Sequence, residues 1–155
     1  MSEDFIWQGE AATQAFAHYL ASYLKAGDII CLAGDLGAGK TTFTRYLAEG
    51  LGITGTIKSP TFTIIREYQT GRLPLYHMDA YRLEETGAEG MGLEEYLEGD
   101  GLTVIEWPQF IEEELSTNYL WLRINKGQDD ERIVRFEGFG PRGKQLARII
   151  EEEYG

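Results

Sequence analysis

The segment Gly34-Asp35-Leu36-Gly37-Ala38-Gly39-Lys40-Thr41 constrains this chain more than any other. It satisfies G-x-x-x-x-G-K-[ST] in full, and its surroundings match the demands of that pattern. Asp28-Ile29-Ile30-Cys31-Leu32-Ala33 precedes it as a nearly continuous apolar run, the signature of a strand buried on both faces. Lys40 to Leu51 follows with helical spacing, closed by Gly50 and Gly52. A strand, a glycine-rich turn and a helix in that order form a phosphate cradle. Small residues let successive backbone N–H groups of Asp35, Gly37, Ala38 and Gly39 curl around phosphate oxygens. The helix beginning near Gly39 adds its positive dipole end. Lys40 supplies a point charge for β- and γ-phosphates, and the Thr41 hydroxyl suits Mg²⁺. Thr42, in the same first turn, reads as a phosphate contact or a solvent-facing threonine. The ligand expected is ATP or ADP with Mg²⁺, GTP being the other nucleotide the motif accepts.

Such a loop also needs a carboxylate near the metal, usually at the end of a neighbouring strand. Two are available. Asp79 ends Leu75-Tyr76-His77-Met78, and Glu106 ends Leu102-Thr103-Val104-Ile105. Asp79 is assigned to the metal, directly or through water. Glu106 is assigned to the metal or to catalytic water. Either position also fits a helix cap or a solvated strand end. His77, on the same strand face as Asp79, reads more readily as a packed core histidine than as a catalyst. Ser59-Pro60-Thr61 is a hydroxyl-rich turn of the kind that reorders when a γ-phosphate leaves.

The remaining pattern places these pieces in one α/β domain over residues 1–155. Gly9 to Lys25 carries Ala12, Phe16, Tyr19, Leu20 and Tyr23 at helical spacing. Pro108 to Leu115 suits a short helix with proline in its first turn. Tyr119 to Ile124 and Arg132 to Phe136 alternate around Asn125 to Asp130 and read as an antiparallel hairpin. Arg142 to Tyr154 reads as a terminal amphipathic helix. The expected fold is a P-loop NTPase-like three-layer arrangement, with helices on both faces of a mixed sheet. Its sheet has a parallel centre and an antiparallel edge hairpin.

Composition narrows the function classes. The net charge of −12, from 26 acids against 14 bases, repels a phosphate backbone and argues against autonomous nucleic-acid binding. It favours a protein partner with a basic face or serves solubility alone. No apolar run approaches the roughly 18 residues of a membrane span, so no membrane is expected. The acidic start lacks a signal peptide's basic region, and the single Cys31 excludes an internal disulfide and a multi-cysteine zinc site. A reducing cytoplasm is the expected location.

Four blocks now stand in order: 34–42, Lys-Ser-Pro-Thr-Phe-Thr at 58–63, Tyr-His-Met-Asp-Ala-Tyr-Arg-Leu at 76–83 and Val-Ile-Glu-Trp-Pro at 104–108. Together they resemble the bacterial TsaE family, formerly YjeE. The resemblance covers nearly the whole chain, though from about residue 116 it is one of general character. It implies an ATPase that joins the TsaD–TsaB pair in making threonylcarbamoyladenosine in tRNA, with tRNA engaged only indirectly. It implies phosphate and magnesium roles for Lys40, Thr41 and Thr42, magnesium at Asp79 and hydrolysis at Glu106. It also implies that the Ser59-Pro60-Thr61 loop responds to nucleotide, and that turnover is slow without the partners.

Three rivals are weaker. A small-molecule kinase needs a lid bearing arginines, but Glu84 to Asp100 is acidic and carries no arginine or lysine. A GTPase switch usually uses Asn-Lys-x-Asp, and Asn125-Lys126-Gly127-Gln128 lacks the aspartate. A binding module without hydrolysis differs only in its phosphate release.

Overall fold

The computed structural model describes residues 3–34, 39–54, 65–80, 96–97, 99–111, 115 and 118–154. Asp35, Gly37, Ala38, Ser59-Pro60-Thr61 and Arg82 lie outside the described residues.

Seven strands form one sheet: β1 (Glu3–Gln8), β2 (Ile29–Gly34), β3 (Ile65–Tyr68), β4 (Leu75–Asp79), β5 (Leu102–Glu106), β6 (Tyr119–Lys126) and β7 (Glu131–Phe139). Their spatial order is β1-β7-β6-β2-β5-β4-β3. The four central strands, β6, β2, β5 and β4, run parallel. The expected hairpin, β6–β7, is antiparallel at one side. Two further antiparallel pairings complete the sheet. β1 adds itself to β7, and β3 folds back on β4 at the opposite edge.

Burial follows position. β2 and β5 are covered on both faces, which is why their sequences are apolar runs without alternation. β6 and β7 alternate, with Leu120, Leu122, Ile124, Val134 and Phe136 turned inward. These side chains meet three helices in one cluster: α1 (Gly9–Ala21), α2 (Lys40–Gly50) and α3 (Gly140–Tyr154), through Phe16, Leu20, Phe43, Leu47, Leu146 and Ile150. The three described helices thus pack on one face. On the other face Ile29, Cys31, Met78 and Ile105 join Leu97 and Ile111, with Trp107 and Leu115 against them.

Two elements are shorter than their sequence pattern suggests. α1 ends at Ala21 rather than Lys25, and Tyr23 beyond it is exposed. The segment after Pro108 forms a 3-10 turn, Pro108–Phe110, rather than a helix to Leu115 among the described residues. Trp107 enters the turn left-handed at φ 59, and Ile111 leaves it near φ −134. At Ile111 the backbone leaves the helical range, so the turn does not continue as a helix there.

Candidate functional site

The carboxyl ends of parallel strands are where α/β sheets bind ligands. Here those ends bring together what the sequence spreads over seventy positions. β2 ends at Gly34, whose φ is +127 and whose backbone lies so close to β6 that any Cβ would overlap the Ile124 carbonyl. Only glycine fits there. The chain returns at Gly39, left-handed at φ 106, which caps α2. Lys40, Thr41 and Thr42 then form the first helical turn, where backbone N–H groups lack intrahelical acceptors.

Lys40 is buried, yet its ammonium is engaged. It donates to the Gly34 carbonyl at 3.2 Å and stands over the Trp107 ring, 4.1 Å from the centroid. Thr41 and Thr42 are half-buried. Burying an ammonium this thoroughly is unfavourable unless anionic or π partners compensate.

Asp79 and Glu106 are register partners on adjacent parallel strands, two strands and one strand removed from β2 respectively. Glu106 in turn pairs with Leu32, just before the phosphate loop. Glu106 is buried, and its Oε2 contacts His77 Nε2 at 2.6 Å. His77 is therefore more than a packing residue. The remaining ring nitrogen, Nδ1, is buried and has no hydrogen-bond partner among the described residues.

Among the described residues no three His, Cys, Asp or Glu side chains converge on one point as a metal cage. A magnesium site of the expected kind keeps waters and takes phosphate oxygens with only one or two carboxylates. Thr41, Asp79 and Glu106 are the donors available for such a shared site.

One part of the site escaped sequence reasoning. A pocket of about 370 Å³ opens beside Gly39 and Thr42. Trp7, Glu10 and Thr13 line it from the β1–α1 junction, and Asp130 and Arg132 from the β6–β7 turn. Gly9 N–H donates to the Asp130 carbonyl at 3.3 Å, joining the two walls. A Cβ on Gly39 would lie 3.9 Å from Arg132 Nε, so this arginine borders the phosphate loop. The sequence signal was available: if β6 runs parallel to β2, its hairpin turn must project at the phosphate end. Trp7 ends the apolar run Phe5-Ile6-Trp7 in β1, and one short run without alternation is a weak strand pattern.

Comparison with known proteins agrees with this geometry. A family model described as threonylcarbamoyl adenosine biosynthesis protein TsaE matches residues 7–134, ending within β7. A relative from Bacillus subtilis (strain 168), named tRNA threonylcarbamoyladenosine biosynthesis protein TsaE, is 52% identical over 138 residues, covering 89% of this chain and 87% of its own. One of the same name from Synechocystis is 47% identical over 112 residues, covering 70% and 71%. The crystal structure of YdiB from Bacillus subtilis superposes with a TM-score of 0.84 at 41% identity, covering 98% of this chain and 95% of the other. With the family model spanning most of its length and relatives this similar, the chain belongs to the TsaE family.

Proposed function

We propose that this chain binds ATP with Mg²⁺ and hydrolyses it, slowly alone and faster with a TsaD–TsaB transferase pair, in the making of threonylcarbamoyladenosine in tRNA. The observation that carries the reading is that Lys40 holds the Gly34 carbonyl at the end of β2, while Glu106 and Asp79 are register partners at the ends of the neighbouring strands β5 and β4.

Lys40 and the N–H groups opening α2 hold the phosphates. Asp35, Gly37, Ala38 and Gly39 complete the cradle by motif position, with Thr42 at its inner side. Mg²⁺, when bound with ATP, neutralises charge on the phosphate oxygens. Thr41 and Asp79 hold it, and Glu106 orients the attacking water or completes the metal shell. The pocket lined by Trp7, Thr13 and Arg132 receives the nucleoside, because it opens from Thr42 and has a volume within the range of small-ligand sites. Family membership supports the pathway, and the relatives' names carry it. The net charge of −12 supports docking to a basic protein surface. No described helix is long and apolar enough to cross a membrane.

The test is phosphate release from MgATP by the wild-type chain and Lys40→Ala, each alone and with purified TsaD and TsaB. Slow release that rises with the partners and vanishes in Lys40→Ala is expected. Equal release by the mutant, or no response to the partners, overturns the proposal.

A further inference from the structure

The His77–Glu106 contact joins two buried side chains, exposed by 0% and 7%. The two residues occupy neighbouring parallel strands, and register places His77 opposite Val104, two positions before Glu106. They therefore project from the same sheet face and meet diagonally. An ionised carboxylate only accepts hydrogen bonds, so Nε2 carries the hydrogen and donates to Oε2. The bond engages one oxygen of Glu106 and not the other.

A histidine placed for packing alone usually satisfies both ring nitrogens when buried. His77 does not: its Nδ1 is buried without a partner among the described residues. Among the described residues the ring's hydrogen bonding is spent on one carboxylate, at the end of the strand beside β2.

We propose that His77 is a positioning residue for Glu106. It grips Oε2, stops rotation of the carboxylate, and presents Oε1 toward the magnesium shell or the attacking water. His77 itself touches neither nucleotide nor metal. The role rests on the ATPase reading above and adds a residue to it, since that reading needs only Glu106.

Four variants test it: His77→Leu, which fills the space without a donor; His77→Gln, whose side-chain N–H reaches as far as Nε2; Glu106→Gln; and the double variant Glu106→Gln with His77→Leu. Partner-stimulated kcat for His77→Leu falls at least about tenfold, as when an outer hydrogen-bond partner of a site carboxylate is removed. The affinity for MgADP, measured by calorimetry, stays within about twofold, and His77→Gln recovers most of the rate. In the Glu106→Gln background, His77→Leu has no further effect on kcat. A merely structural role predicts the opposite: binding, thermal midpoint and rate fall together, Gln does not rescue, and the two substitutions add. That pattern, or full activity in His77→Leu, overturns the proposal. A second readout needs no hydrolysis. In ¹H–¹⁵N spectra of the nucleotide-free chain, the His77 Nε2–H resonance lies far downfield and moves upfield in Glu106→Gln. If the wild type releases no phosphate, the ATPase reading fails while this resonance still decides whether His77 holds Glu106; its absence overturns the proposal. Should His77→Leu not fold, the His77 Nε2–H resonance in the wild type against Glu106→Gln gives the answer.

Discussion

The Lys40 ammonium lies 4.1 Å from the centre of the Trp107 ring, and Trp107 directly follows Glu106 at the end of β5. The phosphate-binding cation is thereby tied to the strand that carries a proposed hydrolytic carboxylate. An ammonium has three donors, one of them given to the Gly34 carbonyl. Adding phosphate oxygens redirects the group and changes the field at the indole. The intrinsic fluorescence of the chain should therefore shift when MgADP binds. Trp107→Phe should reduce that shift, leaving the part that comes from Trp7 in the pocket wall, and Lys40→Ala should move it to higher MgADP concentration. Lys40→Ala loses a charge-assisted contact, roughly 1.5–3 kcal/mol of affinity. A shift of unchanged size in Trp107→Phe would show that Trp107 does not report on the phosphates.

Asp79 and Glu106 stand side by side in register, but their surroundings differ. Glu106 is buried against His77, whereas Asp79 is half-buried. Asp79→Asn keeps the shape and removes the charge. It should raise the magnesium concentration needed for half-maximal phosphate release about 10- to 100-fold while the thermal midpoint holds. Glu106→Gln should instead lower kcat with little change in nucleotide affinity, the mark of a group acting mainly in the transition state. Titrating magnesium in phosphate-release assays separates the two. An unchanged magnesium requirement in Asp79→Asn would pass the metal to Glu106.

Arg132 came from a hairpin strand with nothing in its local sequence to suggest a site. Its place beside Gly39 and in the pocket wall predicts that Arg132→Ala weakens ATP binding by about tenfold or more, the worth of one hydrogen bond from a charged donor. At saturating ATP the partner-stimulated rate should stay near wild type, because the pocket lies on the Thr42 side rather than beside Asp79 and Glu106. Calorimetric affinity and kcat decide it; a collapse of kcat at saturation would instead put Arg132 on the transferring phosphate.

The contrast between these residues shows what a linear sequence conveys. The frame of the expected phosphate loop, β2 before it and α2 after it, was legible because its signals are local. A buried strand, two glycines in special conformations and a helix start must occur in succession, so Gly34, Gly39 and Lys40 announce themselves. Asp79 and Glu106 were legible because each ends an apolar run. The bond between His77 and Glu106 was not, since it depends on the register of β4 against β5, which no periodicity encodes. β1 was missed for a related reason. Its inward Trp7 is held by pairing with β7 and by stacking on Phe43 at 5.7 Å, both long-range facts. Of the helix expected after Pro108 only a 3-10 turn forms among the described residues: Ile111, buried on the far face of the sheet, leaves helical geometry, and tertiary packing overrides propensity.

The fold carries its own clamp far from the nucleotide. Asp28 precedes β2, and Arg142 stands in the first turn of α3. Arg142 Nε and Nη2 donate to Asp28 Oδ1 and Oδ2 at 2.9 and 2.8 Å, and Nη2 also reaches the Tyr23 carbonyl at 2.7 Å. Asp28 Oδ2 further accepts from the Lys25 N–H at 2.7 Å. The carboxylate is 4% exposed and the guanidinium side chain 20%. The hydrogen bond to Asp28 holds the guanidinium pKa above its ordinary range against the opposing effect of burial. Removing one member strands the other in a poorly solvated place, which costs about 3–5 kcal/mol. Asp28→Ala should therefore lower the thermal midpoint by roughly 10 °C, given about 2–4 °C per kcal/mol at this size. Replacing both with well-packed apolar residues should recover part of that loss, because no unpaired charge then remains. Thermal denaturation of Asp28→Ala, Arg142→Leu and the double variant Asp28→Ala with Arg142→Leu is the check. Single losses that simply add in the double variant would show that the two side chains act independently, and that the α3 start is anchored by packing alone.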